Sequence, residues 1–420
     1  MKHRLAESFE AAYLKHFWKF QRCQWENYAD DAQHALSVID KEMFELVTSY
    51  RDTFELSGRR GEVFKAIMAR ELVERHPDVS RLRNRLDLDK QSRYYGGEFS
   101  ERDLARRIKP DVLELMRTRN HLSQKLGFPS YVALVLSTEE VELESLIALL
   151  EQHLQDHLST ARTLVRTHQI TLTTSWLSGL DTIGCLDSDF SPIGSIEQFW
   201  QRIGFAHLKG TIPLISQEQP TVSGYVGVLS VPDDVRILVR SVDTLGRWLT
   251  LFHELGHATA HALNEENGIF TTWTSVYDET MAEVLESIAS FMLLDEPNQQ
   301  SARELKILTG TRCAISGLFE FALWENPSDA ERLYVEHFNR LGLEVQDPEV
   351  WALDTFRYLD PIYIFNYVIG HQVADRTLKF LNKEYGDEFS KWGDWLKHNY
   401  YADGRRRSLR EKTAIVGSVV

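Results

Sequence analysis

From residue 1 to about residue 170, apolar residues recur at three- and four-residue spacing among charges, with few glycines or prolines. That period puts the apolar positions on one helix face, so the stretch predicts a series of amphipathic helices. Breaks are expected near Ser57-Gly58, His76-Pro77, Gly96-Gly97, Lys109-Pro110 and Gly127-Phe128-Pro129, where glycine or proline interrupts the period. No fixed-period repeat runs through the stretch, which argues against a solenoid. The tract Thr171–Asp189 is rich in Thr, Ser, Gly and Asp. It predicts a loop, and a seam between an N-terminal helical lobe (1–190) and a second lobe (191–420).

The pattern changes at residue 221. TVSGYVGVLSV and VRILVRSV alternate in apolar character and are joined by Pro232-Asp233-Asp234, which predicts a β-hairpin. A helix then starts near Ser241–Thr244, where Ser, Asp and Thr offer N-caps, and carries LGRWLTLFHELGHATAHAL to about Asn264. A loop over Glu265–Ser275 leads to a second helix from about Val276 to Leu294, and helical patterns with turns fill the remainder, including an amphipathic Glu384–Tyr400. The elements add up to a mainly α protein of two lobes, with a small antiparallel sheet beside the central helix.

The 420 residues are enough to bury a large core, and 43% hydrophobic with 26% charged residues describes an ordinary globular chain. A net charge of −15 argues against nucleic acid as a partner. Basic clusters at Arg59-Arg60, Arg81–Arg85, Arg106-Arg107 and Arg405–Arg407 read as solvated helix faces and a basic tail. Cys23, Cys185 and Cys313 are odd in number and form no CxxC pair, which indicates neither a disulfide framework nor a thiolate zinc site. No apolar run approaches a membrane span and the first twenty residues lack a signal-peptide core. A cytoplasmic protein is the expectation.

The candidate chemistry lies at His253-Glu254-Leu255-Gly256-His257. Positions i and i+4 share a helix face, so both imidazoles can aim at one metal ion, and Glu254 beside them can act as general base. A three-position pattern arises by chance in roughly one such chain in twenty, so the context has to carry the reading. The helix is apolar around the histidines, where unpaired imidazoles would be costly. A catalytic zinc takes three protein ligands, and the next helix offers Asp278, Glu279, Glu283 and Glu286. Glu283 lies among Met281, Val284, Leu285 and Ile288, where a carboxylate needs a strong partner, and is the expected third ligand; Glu286 and Glu279 are the alternative ligands, and could instead bond the histidines from outside. His261 reads as a rim or core histidine.

VRILVRSVDTLGRWLTLFHELGHATA resembles the strand-and-helix signature of the thimet oligopeptidase and oligoendopeptidase F family, HExxH zinc peptidases of the gluzincin type. TMAEVLESIAS resembles that family's following helix, Arg117–Leu136 its "RNxxAxxLGYxNY" segment, and DPIYIFNYVIG its "PFYVYQYATG" segment. The resemblance implies one Zn²⁺ per chain on His253, His257 and Glu283, and Glu254 as base. It also implies a tyrosine that bonds the oxyanion, with Tyr363, Tyr367 and Tyr358 as candidates. The histidine that the family carries before these tyrosines is not matched: the position falls at Arg357, which could instead stabilise the oxyanion or bind a substrate carboxylate. The edge strand of the hairpin, with Gly224, Tyr225 and Gly227, would pair with an extended peptide. The implied activity is endopeptidase cleavage of short or unstructured peptides. A zinc carboxypeptidase and a catalytically silent peptide-binding relative are the alternatives.

Overall fold

In the computed structural model, the first amphipathic stretch forms α1 (Lys2–Ala29), α2 (Leu36–Tyr50), α3 (Gly58–Glu74), α4 (Pro77–Asp89), α5 (Glu101–Lys125), α6 (Tyr131–Glu139) and α7 (Leu143–Thr167). The structure describes residues 2–30, 32, 34, 36–51, 57–89, 100–173, 176–186, 191–218 and 222–417. The breaks at Ser57-Gly58, His76-Pro77 and Gly127-Phe128-Pro129 fall between these helices; Gly96-Gly97 lies outside the described residues. The break expected at Lys109-Pro110 does not occur, because α5 runs through Pro110. Pro110 is on the solvent face, where water reaches the carbonyl that its missing N–H cannot bond.

The tract after α7 is not only a loop. Thr171–Thr173 (β1) and Trp176–Ser178 (β2) pair as a short antiparallel hairpin. After α8 (Pro192–Ile203) come β3 (Leu214–Gln217), β4 (Gly224–Ser230) and β5 (Asp234–Arg240). The expected hairpin is β4–β5, but β3 adds parallel to β5, so the sheet is mixed, in the order β3-β5-β4. β4 is thus an edge strand.

The helix carrying the HELGH string is α9 (Leu245–Ala262), capped by the Thr244 hydroxyl, which accepts from the Arg247 N–H. Next come α10 (Ser275–Leu293), capped by Thr274, then α11 (Glu296–Glu325), α12 (Ala330–Phe338), α13 (Phe365–Tyr385), α14 (Phe389–Leu396) and α15 (Leu409–Thr413). The amphipathic Glu384–Tyr400 is divided between the end of α13, α14 and a π-turn at Lys397–Tyr401, rather than forming one helix. The protein is mainly α. One large core takes residues from α3 through α15, across the seam expected near residue 190. A satellite core joins α1, α2 and α3 to Ile269.

Contacts at several points knit the N-terminal helices to the remainder. Trp25 near the end of α1 packs on the sheet with Leu229 and Leu238. Arg119 of α5, fully buried, donates to both oxygens of Glu74 (3.0 and 2.7 Å) and to the Tyr358 carbonyl (2.9 Å). Tyr131 donates to the same Glu74 at 2.6 Å, and Asn120 accepts from the Tyr131 N–H at 2.8 Å. The RN…Y segment is therefore a buried brace between helices. No helix among the described residues is long and apolar enough to cross a membrane.

Candidate metal centre and active site

Helices α9 and α10 cross at Gly256. A Cβ there would lie 2.6 Å from the Ala282 Cα, so only glycine lets the two backbones meet. That crossing fixes which turn of α10 faces the imidazoles. His253 Nε2 lies 3.1 Å from Glu279 Oε2, and His257 Nε2 lies 3.9 Å from the same oxygen. Ligand-type atoms of His253, His257 and Glu279 all fall within 4.8 Å of one another.

Glu283, expected as the third ligand, does not join both imidazoles. It lies 3.7 Å from the Nδ1 side of His253, and its other oxygen meets Lys306 (3.0 Å) and His371 (3.2 Å). Gly370 of α13 packs against its side chain; a Cβ there would come within 2.8 Å of the Glu283 Cγ. Glu283 is thus held toward α11 and α13, while Glu279, one turn earlier, reaches the two Nε2 atoms. His253, Glu283 and Glu286 also cluster within 4.8 Å, but that group holds one imidazole and a carboxylate already paired with Lys306. It is the poorer cation site.

Acidic residues face both imidazoles from the Nδ1 side. Glu286 lies 3.4 Å from His253 Nδ1, as expected for a carboxylate that orients a ligand from outside. Asp278 does the same for His257 Nδ1 at 3.1 Å, and it also bonds His261 Nε2 at 2.9 Å. His261 therefore bonds Asp278 and packs on Trp273 rather than facing the centre. Asp278 as the shared partner, and Lys306 and His371 behind Glu283, were not read from the sequence. The last two come from distant helices and carry no local signal.

Burial lowers the pKa of His253, but its bonds to Glu279 and Glu286 outweigh this and hold it well above the usual value. His257 is likewise opposed by burial, yet Asp278 and then Glu279 raise it to about 9. Asp278 is held far below the usual carboxylate range, because His257 and His261 overcome the burial penalty. Such polarised pairs point to a centre built for positive charge. The donor set of two Nε2 atoms and one carboxylate, with both Nδ1 atoms held by acids, fits a His₂Glu zinc site.

Glu254 is buried, and burial raises its carboxyl pKa while His257 and His253 pull the other way. Edge strand β4 passes directly over it: a Cβ on Gly224 would come 2.5 Å from the Glu254 Oε1. Gly224 therefore belongs to the site. The other two strand residues do not. Gly227 faces the opposite side, where a Cβ would collide with the Trp25 ring. Tyr225 points the same way, stacking on Trp25 at 6.3 Å and meeting Tyr28 edge-on at 4.9 Å. The period of two in a strand explains the split.

Of the tyrosines, Tyr363 donates its phenol proton to Glu279. The Tyr367 ring lies 5.9 Å from His253 and 6.1 Å from Tyr363. Burial, and then Glu279, raises both phenols well above their usual pKa, so both keep their protons. Tyr358 is fully buried in the main core, and its carbonyl serves Arg119. Arg357 does not face the centre either. It is buried against Ser316, with Glu320 at 3.1 Å and Asp354 at 3.1 Å, over the Phe319 ring. Glu320 in turn accepts from the Ile362 N–H at 2.9 Å. Ile362 has φ of 59°, a strained conformation for a β-branched residue. Arg357 thus secures, through Glu320, the turn that presents Tyr363.

No family model matches the sequence, and no curated protein matches it. Solved structures do match, over nearly the whole chain. The M32 carboxypeptidase from Deinococcus radiodurans R1 shares 12% identity at a TM-score of 0.68, covering 100% of this chain and 96% of that one. Trypanosoma cruzi metallocarboxypeptidase 1 gives 14%, 0.70, 99% and 95%, and a putative oligoendopeptidase F gives 13%, 0.69, 100% and 94%. The chain has the fold shared by M32 carboxypeptidases and oligoendopeptidase F. One branch of that pair is the family that the sequence resembles.

Proposed function

We propose that the protein is a zinc-dependent metallopeptidase acting on short or unstructured peptides, with His253, His257 and Glu279 as metal ligands and Glu254 as general base. The observation that carries this reading is the convergence of both imidazole Nε2 atoms on Glu279, beside a buried Glu254 and under edge strand β4. A bound zinc would supply Lewis acidity, lowering the pKa of water and polarising a carbonyl. Glu254 takes the proton from the attacking water and delivers it to the leaving amine, a role suited to a carboxyl whose pKa is raised. The β4 edge pairs with the extended substrate near Gly224, which brings the peptide beside Glu254. Tyr363 or Tyr367, protonated and adjacent, donates to the developing oxyanion.

Endopeptidase action is the first reading and release of C-terminal residues the second, since relatives of both kinds share the fold. The closed ion-pair network around Arg357 favours the first, because it removes one anchor for a terminal carboxylate. The test is cleavage of an internally quenched peptide in free and C-terminally amidated forms. Loss of cleavage on amidation would reject the endopeptidase reading. Glu254→Gln should cut kcat roughly 10²–10⁴-fold with metal content unchanged, and undiminished hydrolysis would reject the mechanism.

A further inference from the structure

We propose that Cys23, Glu26 and His34 form a second metal site, at the end of α1, for a borderline-soft divalent cation such as Zn²⁺. Ligand-type atoms of the three residues lie within 4.8 Å of one another, and none of them belongs to the centre on α9 and α10. Cys23 and Glu26 are three apart on one face of α1. The Asp30 and Ala32 N–H groups both bond the Glu26 carbonyl, at 3.0 and 3.1 Å.

The Asn27 side chain accepts from the His34 N–H at 2.8 Å and donates to the His34 carbonyl at 3.3 Å. This two-way clamp fixes the backbone of His34 and leaves its imidazole over the helix face, with Nε2 at 2.7 Å from Glu26 Oε2.

The donor set of one thiol, one imidazole and one carboxylate suits zinc, with its fourth position open to water. Ligands around a tetrahedral zinc sit about 3.3–3.8 Å apart, given bonds of roughly 2.0–2.3 Å, so small side-chain rotations close the group on an ion. His34 and Glu26 are partly exposed, which gives the ion a route in. The absence of a CxxC pair counts against a thiolate-rich site, but this one needs a single thiolate.

The location gives the site a structural consequence. Trp25, between Cys23 and Glu26, packs against Gly227 of β4, and Gln217 of β3 donates to the Ala29 carbonyl at 3.1 Å. An ion here would fasten the chain leaving α1 to the helix end that braces the candidate substrate strand.

The test uses the full-length chain stripped of metal and titrated with Co²⁺. The expected result is a near-ultraviolet thiolate-to-cobalt charge-transfer band that saturates with a second equivalent of metal. Cys23→Ser should abolish the band, and His34→Ala should weaken the binding that produces it at least tenfold. The ligands proposed for the active site contain no sulfur, so the band reports this site alone, whatever the fate of the peptidase reading. Absence of the band in the unaltered chain overturns the proposal. So does its persistence in Cys23→Ser, which would place it on Cys185 or Cys313, or unchanged binding in His34→Ala.

Discussion

Replacing Glu279 and Glu283 separately by glutamine distinguishes the geometry of the candidate centre from the expectation read off the sequence. Glu279 places one oxygen 3.1 and 3.9 Å from the two Nε2 atoms. Its loss should weaken zinc binding by more than the 10–100-fold typical of an outer partner. The metal-free fold also loses the bond between Glu279 and His253, so although Tyr363 can still bond the amide the cost should be about 1–3 kcal/mol. Glu283 differs in its effect on zinc. Its carboxylate offsets Lys306 at 3.0 Å and His371 at 3.2 Å. Removing it leaves the Lys306 ammonium, whose side chain is 20% exposed, with only the Ser287 hydroxyl and the weaker fields of Glu286 and Asp375. The cost should lie near the low end of the range for a broken buried pair, about 3 kcal/mol, with zinc affinity lowered at most about 100-fold. The assay is competition for zinc against a chelator of known affinity, beside urea unfolding of the metal-free proteins. If Glu283→Gln abolished zinc binding at unchanged stability while Glu279→Gln kept its zinc, the assignment argued from the α9–α10 crossing would be refuted.

Other outcomes follow from single contacts. Gly224→Ala puts a methyl against Glu254 and should depress kcat with the fold intact. Gly227→Ala instead meets the Trp25 ring and should cost about 1–3 kcal/mol of stability, so parallel activity and unfolding measurements separate the two faces of β4. Tyr363→Phe or Tyr367→Phe should lower kcat by roughly 10²–10³ if that phenol serves the oxyanion, and Tyr358→Phe should leave kcat alone; steady-state kinetics on one peptide decides. Burial would raise the Glu74 carboxyl, but Arg119 and Arg70 overcome this and lower it from 4.5 to about 2. Because the folded pKa is the lower one, its stabilisation of about 3 kcal/mol is complete above pH 4.5 and is lost as pH falls toward 2. Glu74→Gln should flatten acid unfolding over that window.

The helices, their caps and the β4–β5 hairpin were legible along the chain because they arise from contacts between near neighbours. The i, i+4 histidines and Glu254 were legible for the same reason: one helix places all three. Pro110 misled, since its exposure depends on the surface of the fold rather than on local sequence. The third ligand proposed here, Glu279, was beyond local reasoning. Glu279, Glu283 and Glu286 recur at i, i+4 and i+7, so all three share one face of α10 and periodicity cannot rank them. The choice was made by the contact of Gly256 with Ala282, and by Gly370, Lys306 and His371 drawing Glu283 aside. Arg357 and Tyr358 follow the same rule: only five or six residues before Tyr363, they are held in the core by Glu320, Asp354 and Arg119. The sequence by itself determined which elements form and which residue types can bind a metal. Only the tertiary structure decided which carboxylate meets the imidazoles, because helix rotation and axial register are set by packing between segments that the chain keeps far apart.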